Sequence, residues 1–285
     1  MKTLIIDAKA IKEKDIVRLS EEVNYIKSTI GREPHLVIVN ASDDLGSKCY
    51  IKNKIKTGKE MGIKVTLKEF DENVTQVELE QFIFHLNQDE DVDAIILQLP
   101  IYKHLNPKSL IELISPAKDA DCFSKERLGE MIQGNRNILP CTPKGVIRLL
   151  EEHMVEIEGK DVTIIGRGLH VGQSLSLLLT QMGATVTVCH SKTKNLKANT
   201  INADIVISCV GRQIITPDIL KEDSVLIGVG IVVKESKQHT DYDIDEIRNS
   251  GKCRLVSNRI NSTGTMTVLS LCDNTINLCK EKYNL

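Results

Sequence analysis

Five lysines lie close together in one short segment, and one of them points away from the other four. The stretch from Asp43 to Gly62 opens on two acids and has a glycine past its end, the signals that bound a helix. At about 100° per residue, Ser47, Tyr50 and Lys54 fall within roughly 60° of one another, with Ile51 and Ile55 beside them. Lys48, Lys52, Lys56 and Lys59 gather on a different face, which belongs in water. Lys54 is left facing the packed side together with a phenol. An amine stripped of water loses part of its preference for the charged form. Such an amine can trade protons with a substrate. The bland alternative is a lysine whose stem runs along apolar neighbours and whose head reaches solvent.

A second constellation points to a nucleotide. The apolar run Val162 to Ile165 enters Gly166-Arg167-Gly168-Leu169-His170-Val171-Gly172, and a helical pattern follows from Ser174 to Thr180. Glycines between a strand and a helix let the backbone turn tightly and approach a pyrophosphate, while the helix N-terminus supplies unpaired amides. The bland alternative is a simple tight turn. An NAD site usually carries an acid about 20 residues further on, for the ribose hydroxyls. No aspartate or glutamate occurs from Val162 to Ala203, whereas Arg167, Lys192, Lys194 and Lys197 do, with His190-Ser191 ending the next strand. Missing acids and available cations favour a 2′-phosphate, hence NADP, with NAD as the alternative.

The elements that must position these groups alternate along the 285 residues. Strand patterns at His35–Asn40, Lys64–Phe70 and Asp93–Pro100 are interleaved with helical patterns at Gln76–Leu86 and Asn106–Ile114. Further strands are expected at Thr185–Cys189, Asp204–Val210, Ser224–Val229 and Arg254–Ser257, with a last helix from about Met266 to Lys282. Alternation of this kind predicts crossover units and parallel sheets. Residues Gly129 to Pro143 have weak periodicity and read as the passage between two α/β domains, the second of them Rossmann-type. Thr142 is placed as an N-cap, with Pro143 in the first turn of the helix that follows. The expected division is 1–142 and 143–265, with the terminal helix 266–285 packing back on the first domain.

Composition excludes several classes. A net charge of -2 gives no basic footprint for nucleic acid, and 3% aromatics without tryptophan gives no stacking platform. No apolar run is long enough to span a bilayer, and charge interrupts Met1 to Lys9 too early for a signal peptide. The eight cysteines form no C-x-x-C pair, so neither a metal site nor a redox motif is expected; they read as small buried thiols of a cytoplasmic protein.

Gln98 ends a buried-type strand, at the carboxyl edge where open α/β sheets bind ligands. Together with it, Ser47-x-x-Tyr50-x-x-x-Lys54, Gln98-Leu99-Pro100, Pro116-x-Lys118-Asp119-x-Asp121, Pro140-Cys141-Thr142-Pro143-x-Gly145, Gly166-Arg167, Val188-Cys189-His190-Ser191-x-Thr193, Ala203-Asp204-Ile205 and Gly264-x-Met266-Thr267 occur in one order. In this the chain resembles the bifunctional methylenetetrahydrofolate dehydrogenase/cyclohydrolase family along nearly its whole length. The resemblance implies a folate-binding domain, an NADP-binding domain, a cleft between them and a homodimer. It makes Lys54 the catalytic lysine, Gln98 its partner, Asp121 the carboxylate that holds the pterin and Tyr50 the ring packed on it. Ser47, Leu99 and Pro100 become further folate contacts. Arg167 and Ser191 become 2′-phosphate contacts, with Gly166, Gly168, Gly172, His190, Thr142 and Ile231 also on the dinucleotide side.

Several positions depart from the family pattern. The proline- and glycine-rich segment before Met-Thr is here Asn258-Arg259-Ile260-Asn261-Ser262-Thr263-Gly264-Thr265. Cys122 stands where the family has glycine, Gly168 where it has serine, Gly228 where it has aspartate and Tyr102 where it has proline. Two other readings stay open at this stage. One is a related two-domain dehydrogenase of the shikimate or amino-acid type. The other is a relative that has lost one activity, or that binds folate or dinucleotide without turnover.

Overall fold

The computed structural model describes residues 2–230, 232–234, 237–258 and 261–285. In chain order the elements are β1 (Leu4–Ile6), α1 (Lys9–Ile30), β2 (His35–Asn40), α2 (Leu45–Glu60), β3 (Lys64–Glu69), α3 (Gln76–Gln88), β4 (Ala94–Gln98), α4 (Pro107–Leu113), α5 (Lys125–Ile132) and α6 (Cys141–Glu152). They continue as β5 (Asp161–Ile165), α7 (Ser174–Gln181), β6 (Thr185–Cys189), α8 (Leu196–Thr200), β7 (Ile205–Ser208), β8 (Ser224–Gly228), β9 (Val232–Lys234), β10 (Lys237–His239), α9 (Ile244–Ser250), β11 (Cys253–Ser257) and α10 (Thr263–Tyr283). The chain forms two compact units, one of Glu13–Cys141 with Val268–Leu285, the other of Met1–Lys12 with Thr142–Thr267.

The first unit is built on a parallel three-stranded sheet in the order β3-β2-β4. All six residues of β2 are buried, which fits an unbroken apolar strand covered on both faces. Val37, Val39, Ile95 and Leu97 point to one face and pack with Leu79, Ile83, Leu110 and Ile111 of α3 and α4. Period-two alternation sends Ile38, Asn40, Ile96 and Gln98 to the other face. That face carries α2, which comes so close at Gly58 that a methyl group there would sit 2.6 Å from Val65 Cγ2 of β3. The terminal segment of α10 belongs to this unit and is anchored by Asn274, whose Nδ2 donates to the Ala120 and Leu139 carbonyls at 2.8 Å each.

The second unit has a six-stranded parallel sheet in the order β1-β11-β8-β7-β5-β6. Its edge strand β1 comes from the far N-terminus and pairs Leu4 with Leu255 and Ile6 with Ser257. The sequence reading expected no strand there. Three residues are too short to show a period, and the partner lies about 250 positions away. The weakly periodic passage around Gly129 also holds more order than expected, because α5 occupies its first part, capped by the Ser124 hydroxyl. The helix predicted to start after Thr142 begins at Cys141, so Thr142 is not its N-cap. Its hydroxyl instead accepts from the Thr267 hydroxyl at 3.2 Å. No described helix is long and apolar enough to cross a membrane.

Candidate active site

Helix α2 begins where Asp44 accepts the Ser47 amide at 2.7 Å, so the cap fixes the phase of every side chain after it. In that phase Lys54 is 7% exposed, while Lys52, Lys56 and Lys59 are exposed. The Lys54 Nζ donates to Gln98 Oε1 at 2.9 Å. The other end of the Gln98 carboxamide donates to the Leu99 carbonyl at 2.8 Å, which also accepts the Ser47 hydroxyl at 3.3 Å. The carboxamide is thereby held with its oxygen toward the amine. Tyr50 is half-buried one turn before Lys54, and burial pushes its phenol up from the ordinary value.

Two acids lie in the loop after α4, and the structure separates their duties. Asp119 is buried and accepts the Phe123 and Ser124 amides at 2.9 and 2.7 Å. Burial raises its carboxyl above the ordinary value against those amides. Asp121 is half-buried and has no hydrogen-bond or ion-pair partner among the described residues. The isolated bridge of Ile95 to Asp119 is parallel, which sets the start of this loop alongside β4. The Lys118 ammonium is spent on the Leu86 and Asp89 carbonyls at 2.8 and 2.6 Å, and burial lowers its pKa. Leu99 is half-buried and Pro100 exposed just beyond Gln98.

In the second unit the turn after β5 has the shape that its glycines allow. Gly166 has φ +120°, and a Cβ on Gly172 would sit 2.1 Å from the Gly166 carbonyl oxygen. Neither position admits a side chain. Gly168 has φ −65° and open space around it. Gly166 donates to the Cys189 carbonyl at 2.8 Å, which brings the turn beside the end of β6. There Arg167 and Ser191 are exposed and His190 is half-buried. The His190 amide is held by the Thr193 hydroxyl at 2.9 Å, and its Nδ1 accepts the Lys192 amide at 3.1 Å. Arg167, Lys192 and Lys194 have no carboxylate partner among the described residues. The donor set fits an anion, and the cradle left by Gly166 and Gly172 fits a pyrophosphate. Ile231, expected on this side, lies outside the described residues.

Comparison with known proteins decides between the readings. Residues 6–121 match the catalytic-domain model of tetrahydrofolate dehydrogenase/cyclohydrolase, and residues 140–283 match its NAD(P)-binding-domain model. The chain belongs to the tetrahydrofolate dehydrogenase/cyclohydrolase family. It is 38% identical to the bifunctional protein FolD of Mycoplasma capricolum, with 98% of each chain covered. The bifunctional FolD enzyme of Campylobacter jejuni has the same fold, with a TM-score of 0.94, 36% identity and 98% and 99% of the two chains covered. The Trypanosoma brucei enzyme, solved with NADP cofactor and an inhibitor, gives a TM-score of 0.94 at 30% identity over the full length of both chains.

Membership in this family makes the departures informative. Gly228 leaves a space filled by Tyr242, whose ring Cε1 would lie 2.9 Å from a Cβ at that position. The Tyr242 phenol is buried, hydrogen-bonded to the Ser257 carbonyl at 2.7 Å, and pushed up by burial. A side chain at position 228 and this tyrosine cannot share the space. Cys122 keeps a left-handed φ of +57°, although it lacks glycine's freedom, which costs about 1 kcal/mol or more. Its thiol reaches the Ile138 carbonyl at 3.4 Å. Tyr102 takes the place of proline and donates its phenol to Asp43 at 3.0 Å, tying the loop before α2 to the loop after β4. Asn261 likewise holds φ +51° within the segment that lost its glycines, and its carbonyl accepts the Ala8 amide at 2.6 Å.

Proposed function

We propose that this protein oxidises 5,10-methylenetetrahydrofolate to the 5,10-methenyl compound with NADP, and hydrolyses that product to 10-formyltetrahydrofolate, a bifunctional step of one-carbon metabolism. The observation that carries this reading is the sheltered Lys54 amine held at 2.9 Å on the Gln98 carboxamide in a chain of this family. The folate part is assigned to the unit of Glu13–Cys141 with Val268–Leu285, and the dinucleotide part to the unit of Thr142–Thr267 with Met1–Lys12.

Each residue has a role that its chemistry permits. Asp121 accepts hydrogen bonds from the N–H edge of the pterin, and Tyr50 packs on the ring. Ser47 fixes the Leu99 carbonyl at the rim. Held this way, the methylene carbon needs alignment more than acid–base help, because the neighbouring nitrogen lone pair stabilises the cation left by hydride departure. Gly166, Gly172, Arg167, His190 and Ser191 would hold NADP, whose nicotinamide would accept the hydride. In the second reaction water attacks the methenyl carbon, and the Lys54 amine takes a proton from it. The bond from that carbon to N5 then breaks as N5 receives a proton and the hydroxyl oxygen becomes the formyl carbonyl. One proton is released overall. Before substrate engages it, the Gln98 carboxamide holds the amine at the end of β4.

Two further assignments belong to this proposal. The protein acts as a homodimer, supported by the unpaired and partly exposed edge strand β6. It works in the cytoplasm, supported by eight cysteines that are held as thiols rather than disulfides. The experiment that tests the function is turnover of 5,10-methylenetetrahydrofolate with NADP, following NADPH and the methenyl absorbance together. NADPH should accumulate while the methenyl species stays low. Folate binding without any NADPH formation defeats the proposal.

A further inference from the structure

We propose that Asn40 is a positioning residue for the Lys54 amine, its side-chain oxygen being the second acceptor that the amine takes when substrate engages Gln98. The inference rests on the functional reading above and adds to it a residue that the motifs do not contain. Asn40 closes β2 as Gln98 closes β4, and the two are direct partners in the parallel register. Glu69, the last residue of β3, is paired to Asn40 on its other side. One register below, the same face carries Leu67, Ile38 and Ile96. The carboxyl edge of this sheet therefore ends in a polar row on the face that carries α2 and Lys54.

Within that row Asn40 is the anomaly. It is 1% exposed, and its Nδ2 donates to the Ser42 carbonyl at 3.1 Å. That bond fixes which end of the carboxamide is oxygen. The oxygen, Oδ1, is buried and has no hydrogen-bond partner. It is the sole buried side-chain atom of this kind among the described residues of its unit. An unmatched buried acceptor is costly and calls for a donor. On the same face of the sheet, the Lys54 amine donates to one acceptor, Gln98, and has an N–H to spare. Lys54 reaches this row from α2 on a flexible four-carbon stem, and Asn40 is the residue next to its present partner.

The two acceptors have a consequence for hydrolysis. When the Gln98 carboxamide turns to the bound pterin, the amine needs another oxygen to hold it near the methenyl carbon. When it takes the proton of the attacking water, the new ammonium needs acceptors in a place with little water. Asn40 Oδ1 meets both needs. The hydride step asks only for alignment and depends on Asn40 less.

The test is Asn40→Leu, which roughly keeps the shape and removes the oxygen together with the donor to the Ser42 carbonyl, beside Asn40→Asp, which lacks that donor too but keeps an acceptor in place. Asn40→Leu should lower kcat for methenyl hydrolysis about 10- to 100-fold, the worth of one hydrogen bond to a charged group. KM, the thermal midpoint and the dehydrogenase rate should move far less, and Asn40→Asp should recover most of the hydrolysis. Hydrolysis unchanged in Asn40→Leu overturns the inference. So does an equal fall of both activities together with the melting temperature, which marks a purely structural role. A wild-type protein with no hydrolysis, measured in parallel, overturns the functional reading and this inference with it. A crystal structure with a bound methenylfolate analogue gives an answer independent of the variants. Lys54 Nζ should lie within about 3.2 Å of Asn40 Oδ1. An amine still on Gln98 alone, with Asn40 unmatched, refutes the proposal.

Discussion

Replacing Lys54 with methionine separates what the amine does from what the side chain fills. Lys54 is 7% exposed and makes one recorded hydrogen bond, to Gln98 at 2.9 Å. Methionine has nearly the same length and no charge, so the stem packing beside Ile51 survives. Loss of the donor leaves Gln98 Oε1 unmatched, at a cost of about 1–3 kcal/mol. Removal of a buried polar amine offsets part of that cost. The melting temperature should therefore drop by no more than about 4 °C for a chain of this size. The effect on hydrolysis is of another order. A positioned acid–base group is worth about 100- to 10,000-fold in rate. Decay of the methenyl absorbance, measured at saturating substrate, should slow by that factor in Lys54→Met. Lys54→Arg sharpens the result, because a guanidinium can still donate to Gln98 but cannot take a proton at neutral pH. It should retain part of the dehydrogenase activity and little hydrolysis. Hydrolysis by Lys54→Met at more than about one-tenth of the wild-type rate would refute proton transfer through this amine.

Other expectations follow from the same geometry. Arg167→Ala should raise KM for NADP about 10- to 100-fold and leave KM for NAD nearly unchanged, since only the 2′-phosphate loses a partner; equal loss for both cofactors contradicts that role. Gly228→Asp should destabilise the protein because its Cβ meets the Tyr242 ring at 2.9 Å, and adding Tyr242→Val should recover part of the melting temperature. Simple additivity in that pair speaks against the exchange of space. Burial pushes the Cys122 and Cys279 thiols from 9.0 up to about 12, so the folded state keeps protons that the unfolded chain sheds. Their contribution to stability is whole below pH 9.0 and is lost as the pH climbs toward about 12. Urea midpoints should fall across that window, and Cys279→Ala should flatten the fall; an unaltered slope goes against it.

Local signals made α2 and the turn after β5 readable. In α2 the cap, the lysine faces and the following glycine all lie within one segment, and the packed face follows from spacing alone. Gln98 was legible because a polar residue ends an apolar run. Asn40 carries the same signal at the end of β2, but its place beside Gln98 comes from strand register, which no local pattern shows. The two acids of Asp119-Ala120-Asp121 look alike in sequence. Only the fold shows one spent on backbone amides and the other open. Non-local terms hid the rest. Strand β1 exists because β11 offers it an edge, and the loss of aspartate at position 228 is matched by a ring that comes from position 242. A relative of the shikimate type was a fair alternative on the lysine alone; the family match along both halves of the chain removes it.

The most direct measurement follows one isotope-labelled carbon by NMR, from 5,10-methylenetetrahydrofolate supplied with this protein and NADP. The label should pass from methylene through a scarce methenyl signal to a formyl group on N10, with NADPH formed in equal amount. A label that stays in the methylene group, or that accumulates as methenyl and goes no further than the uncatalysed rate, contradicts the account of Lys54 as the group that moves the proton.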